Sequence, residues 1–143
     1  MIKSKVALRQ KIEKDKSMNV KPQRKYDLED RLVNFSRAVI QFRKTMERSY
    51  SGDYLGNQLL RSGISPSLNY AEAQAAESRR DFIHKMKICL KELRETSVSI
   101  KIIQDSISCD ESLLIELQTE CKQLLAIFQK SISTSEKKPT QKT

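Results

Sequence analysis

The stretch FIHKMKICLKELRETSVSIKIIQDSI, residues 82–107, sets Phe82, Met86, Cys89, Leu93, Thr96, Ile100, Ile103 and Ile107 at alternating steps of four and three. A mean step of 3.5 residues keeps one narrow stripe on the same side of an α-helix, and such a stripe is buried only by packing along its length against other helices. Two further runs share the spacing: Leu28, Leu32, Phe35, Val39, Phe42 and Met46, and then Leu114, Leu117, Cys121, Leu124 and Phe128. The pattern predicts an all-α fold, an antiparallel up-down-up-down four-helix bundle.

Local signals place the helix ends. Asp27 is the expected cap of a first helix that carries Glu29 and Asp30 in its positive first turn and ends near Ser49. Ser51-Gly52-Asp53 reads as a turn, with a second helix from about Tyr54 that turns Leu55, Leu59 and Leu60 inward. Pro66 removes a backbone donor and biases Ser65 away from helical dihedrals, so a kink or restart is expected there, with Ser65 as the new cap if the helix restarts. Alanines at 71, 73, 75 and 76 then allow close helix approach. A third helix is expected over about 79–106. Ser108 and Glu111 form a capping-box pattern, predicting a fourth helix from about Cys109 to Ser133.

The 143 residues hold one domain's worth of core, and the formal net charge of +9 is unevenly spread. Residues 1–25 are a basic N-terminal arm with nine Lys/Arg against two acids, and residues 136–143 a lysine-rich tail with three lysines against one acid. That leaves fifteen residues of each sign in the bundle proper, 26–135. Both tails have too little apolar surface to repay ordering, so the arm is either an inert solvated tail or an electrostatic arm for an anionic polymer.

Several functions lack their residues. Three cysteines cannot all pair, and Cys89 and Cys121 fall on apolar stripes, where a reduced thiol behaves as a small hydrophobe. With a single histidine, His84, no zinc-type spacing exists, so neither metal nor cofactor is expected. No run of roughly 18 apolar residues is available to span a bilayer, and the chain is read as cytoplasmic, without a membrane partner. Glu72, Glu92 and Glu95 could in principle serve as acid and base, but no glycine-rich phosphate loop or nucleophile elbow accompanies them, and the chain is read as not an enzyme.

Two sets of polar residues remain. Arg80, His84, Lys87, Lys91, Arg94 and Lys101 recur at four, three, four, three and seven on the side of the third helix opposite its apolar stripe. A line of cations on a rigid rod can follow phosphates without reading bases, although a charged outer face is also what any solvated helix shows. Arg61, Asn69 and Glu72, around the proline, are either solvated polar residues or, as expected here, members of a buried polar cluster with Glu92, and Glu95 beside it, of the third helix that fixes register or shapes a subunit contact. Tyr26, Tyr50, Tyr54 and Tyr70 supply rings of the kind used at subunit contacts, so an assembly scaffold with a protein partner stands beside the nucleic-acid reading.

The run Gln58-Leu59-Leu60-Arg61-Ser62, then Ser65 and Asn69-Tyr70-Ala71-Glu72-Ala73, followed by Asp81-Phe82 and Leu90-Lys91-Glu92-Leu93-Arg94-Glu95-Thr96, resembles the 23S ribosomal RNA intervening-sequence family of bacterial four-helix-bundle proteins. The resemblance spans about 26–130. It implies a four-helix bundle that assembles as a homopentamer, has no established enzymatic activity and associates with nucleic acid, RNA or DNA. A related bundle, the accessory protein of diversity-generating retroelements, pairs with a reverse transcriptase. Ser97-Val98-Ser99 stands where many relatives carry a large aromatic residue.

Overall fold

The computed structural model describes residues 27–137, and within them every regular element is helical: α1 (Leu28–Arg43), α2 (Tyr50–Gln74), α3 (Arg79–Ile103) and α4 (Glu111–Lys137). The basic arm 1–25 and all but the first two residues of the 136–143 tail lie outside the described residues; Glu136 and Lys137 are the last two of α4.

Asp27 caps α1 as its chemistry requires, accepting from the amides of Glu29 (3.1 Å) and Asp30 (3.4 Å). The helix stops at Arg43, six residues before the expected end, because the next segment is claimed by another loop. The Glu47 amide donates to Ser108 O and Glu47 Oε1 accepts from the Ser108 amide, both at 2.8 Å, while Thr45 Oγ1 accepts from the Asp110 amide at 3.1 Å. That interlock also displaces the expected capping box. Ser108 has its amide committed to Glu47, and Asp110 Oδ1 instead accepts from the Leu113 amide at the start of α4.

Helix α2 departs from the expected boundaries. It begins at Tyr50, capped by Ser49, so Ser51-Gly52-Asp53 is its first turn rather than a loop. It also runs through Pro66 with no restart, and Ser65 caps nothing. Local side chains bond the carbonyls around the proline: Asn69 Nδ2 donates to Ser65 O (3.0 Å) and Ser67 Oγ to Ile64 O (2.7 Å). Pro66 has no amide to offer the Ser62 carbonyl one turn earlier, but its ring is buried as apolar volume in the helix seam.

Cross-helix pairs fix the direction of every neighbour. Ser36 meets Ser67 and Arg43 meets Asp53; Arg61 meets Glu92 and Glu72 meets Lys85; Cys121 meets the Leu93 carbonyl and Glu136 meets Lys87; Arg31 meets Glu120. Along the first three interfaces rising numbers on one helix face falling numbers on the next, the antiparallel relation that short connections between sequential helices impose. Each helix packs on its neighbours in sequence, and α1 closes the bundle against α4.

The three sequence stripes supply most of the core, and Leu59 and Ala73 of α2 complete it. Val39, Phe42, Cys89, Leu93, Thr96, Ile100, Ile103, Leu124 and Phe128 are fully buried, while Phe82 is only half-buried at the open end. Its buried hydroxyls are bonded: Thr96 donates to Glu92 O (2.9 Å) and pairs with the Ser62 hydroxyl across the α2–α3 interface (3.0 Å), and Ser36 donates to Leu32 O (3.0 Å). No buried side-chain nitrogen or oxygen among the described residues lacks a partner, as the cost of desolvating an unpaired polar group demands.

Candidate nucleic-acid interface

Arg80, His84, Lys87, Lys91, Arg94 and Lys101 are all exposed along the outer side of α3. The buried stripe of the same helix forces this placement, since residues set three and four apart from one another on the opposite side cannot reach the core. Lys87 is tied to Glu136 of α4 at 3.0 Å. Arg80, Lys91, Arg94 and Lys101 have no acidic partner among the described residues. Their line is broken once, by Val98, four residues after Arg94 and three before Lys101.

Val98 belongs to something the charge pattern did not suggest. A groove of about 890 Å³ runs along α3 beside α2, with Tyr54, Leu55, Leu90, Val98 and Ile102 among its apolar lining. Four cations border it, Arg61, Lys87, Lys91 and Arg94, against one acid, Glu95. Tyr54 is 59% exposed, Val98 54% and Ile102 48%, a density of uncovered apolar side chains that solvation alone does not explain. Tyr50, one turn before Tyr54, is 90% exposed. The sequence signal for this groove was the valine inside an otherwise basic line, together with tyrosines at i and i+4.

The four residues expected to form one polar cluster are divided in the structure. Arg61 bridges α2 to α3, donating to Glu92 Oε2 (3.0 Å) and Glu95 Oε2 (2.6 Å), and also to Gln58 on its own helix. The hydrogen bond to Glu95, with the charge of Glu92 behind it, holds the guanidinium pKa above its ordinary value. Asn69 spends its amide on Ser65, and Glu72 pairs with Lys85 at 3.0 Å, whose pKa it raises through that bond. Arg61 and Glu92 are thus brought together, with Glu95 as third member, and Asn69 and Glu72 are not joined to them.

Among the described residues no group of three or more His, Cys, Asp or Glu side chains is placed to hold a metal ion. Burial pushes the thiols of Cys89 and Cys121 up to about 12, and raises that of half-buried Cys109 as well, so none of the three is an activated nucleophile. No helix among the described residues is long and apolar enough to cross a membrane.

With this geometry in view, the comparison with known proteins is specific. The model of the 23S rRNA-intervening sequence protein family matches residues 24–130, which takes in α1, α2, α3 and most of α4. The chain belongs to this family. A crystal structure from Bacteroides thetaiotaomicron, of a protein of unknown function from the S23 ribosomal protein family, superposes on this intervening-sequence family member with a TM-score of 0.67. The two are 25% identical, over 74% of this chain and 98% of the other. No curated protein matches the chain.

Proposed function

We propose that this intervening-sequence family protein is a non-enzymatic, cytoplasmic RNA-associated protein that binds nucleic acid through basic surface with little sequence preference. The observation that carries the reading is the exposed α3 line, in which Arg80, Lys91, Arg94 and Lys101 stand free of acidic partners among the described residues. Cations spaced along a rigid helix neutralise phosphates and release condensed counterions, which gives affinity without a base-specific pocket. The family name, with its reference to ribosomal RNA, favours RNA over DNA as the ligand. The arm of residues 1–25, with nine Lys/Arg against two acids, adds a second electrostatic contact.

The test is binding of a labelled RNA at two salt concentrations. Affinity should fall steeply with salt; deleting residues 1–25 should lower both affinity and salt slope; and Lys91→Glu with Arg94→Glu should remove most of what remains without unfolding a helix whose buried side they do not touch. Absence of salt-dependent binding to any single- or double-stranded nucleic acid overturns the reading. The scaffold reading, in which the partner is a protein or another copy of the chain, would then take its place, because the exposed Tyr54, Val98 and Ile102 also suit a protein contact.

A further inference from the structure

The groove along α2 and α3 carries chemistry that a purely electrostatic binder does not need. A duplex hides its base faces in the stack and presents phosphates to a basic rod, so apolar floor beneath it would meet only charged or hydrated groups and gain nothing. Here the cationic line gives way at its Lys101 end to Val98 and Ile102, and the exposed Tyr54 stands beside them from α2. Neither the Tyr54 nor the Tyr50 hydroxyl makes a hydrogen bond among the described residues, and both residues are largely exposed to solvent.

We infer that the groove is a single-strand site, in which unpaired bases lie on Tyr54 and the Val98–Ile102 floor while the phosphates between them engage Lys91 and Arg94. This rests on the nucleic-acid reading above and narrows it to a ligand class. Apolar and aromatic floor with a cationic border is the combination by which single strands are held irrespective of sequence, because every base has a π-face and every linkage a charge. The border matches that ligand: Arg61 and Lys87 are already paired with Glu92, Glu95 and Glu136, whereas Lys91 and Arg94 are unneutralised by any carboxylate among the described residues. The chain's own basic arm is a poor occupant, since its net charge has the same sign as the border. From Lys87 to Ile102 the groove spans about 22 Å at 1.5 Å per residue, room for several nucleotides rather than one.

The experiment uses the full chain and a fluorescently labelled 12-nucleotide RNA, single-stranded or annealed to its complement, each titrated at two salt concentrations. The single strand should bind about tenfold more tightly than the duplex. Tyr54→Ala should weaken single-strand binding roughly tenfold, in the range of one lost stacking contact, and leave both the duplex affinity and the salt slope unchanged; Tyr54→Phe, which keeps the ring, should bind as the unaltered protein does. Thermal melting of each variant confirms an intact fold. Equal affinity for the two RNA forms, or a Tyr54→Ala variant that binds the single strand normally, overturns the single-strand site while salt-dependent binding still supports the broader reading. If Tyr54→Ala instead lowers the assembly mass and leaves RNA binding alone, the groove is a contact between copies and the inference fails. Loss of salt-dependent binding altogether removes both.

Discussion

Thr96 occupies a stripe position where an aliphatic residue would fill the same space, and its hydroxyl is kept at full burial only because Ser62 and the Glu92 carbonyl bond it. Removing one partner of such a pair strands the other, whereas removing both can be nearly neutral. Thr96→Val should therefore cost about 1 to 3 kcal/mol in denaturant unfolding, and adding Ser62→Ala should recover much of that loss. The cysteines make a second residue-scale prediction. Their thiols ionise near 9 when exposed but near 12 in the folded protein, for Cys89 and Cys121 alike. Between those values the unfolded chain releases protons that the native state retains, so the stability present below pH 9 is lost as pH rises toward 12, by about 1.4 kcal/mol per thiol for each pH unit. Urea melts from pH 8 to 10.5 check this; Cys89→Ala with Cys121→Ala should flatten the alkaline decline.

At the scale of the element, three helices were legible and one was misread, for a physical reason. The stripes of α1, α3 and α4 announce themselves through large apolar side chains. Helix α2 keeps the same step of four and three through Gly52, Gly56, Leu59, Gly63, Pro66, Tyr70 and Ala73, but builds its seam mostly from residues that hydropathy reads as breakers. Six of these seven are buried, and Tyr70 meets Phe128 edge-on at 6.0 Å. The glycines are there for close approach. A β-carbon on Gly63 would lie 2.8 Å from Val39 Cγ2, one on Gly52 would overlap the Glu47 carbonyl oxygen, and one on Gly56 would overlap the Arg43 side chain. These obstacles yield unequally: a backbone carbonyl hardly moves, a buried β-branched valine moves little, and the long Arg43 side chain can shift at the expense of its ion pair with Asp53. Alanine substitutions should thus destabilise in the order Gly52, Gly63, Gly56. The first should cost about 2 kcal/mol or more, as overpacked sites do, and the last should be offset by alanine's helix propensity of about 1 kcal/mol. Circular-dichroism melts give the order, and a Gly52→Ala variant as stable as the parent would contradict the close approach. The groove was harder to read than the seam. Val98 and Ile102 are single apolar residues in a helix already rich in them, and only the packing of α2 beside α3 shows that nothing covers them.

For the whole molecule, the decisive quantity is how many copies of the α3 surface act together. The resemblance to intervening-sequence proteins implies a homopentamer, and a closed ring arises when one heterologous contact repeats with a closing rotation. A ring would set five grooves and five basic arms on one particle, so a strand long enough to visit several grooves would be held by linked contacts, each individually weak. Linked sites gain through effective concentration, by factors on the order of 100 to 10,000 without any new contact. A pentamer of 16.5 kDa chains should therefore appear in light scattering near 80 kDa, and a 60-nucleotide single strand should bind it at least about 100-fold more tightly than a 12-nucleotide one at the same salt. A monomer carries only one groove, and lengthening the strand would then raise affinity only by the number of overlapping places to start. A mass near that of one chain at micromolar concentration refutes the ring, and a pentamer that holds long and short strands alike would show that its grooves do not face a common path.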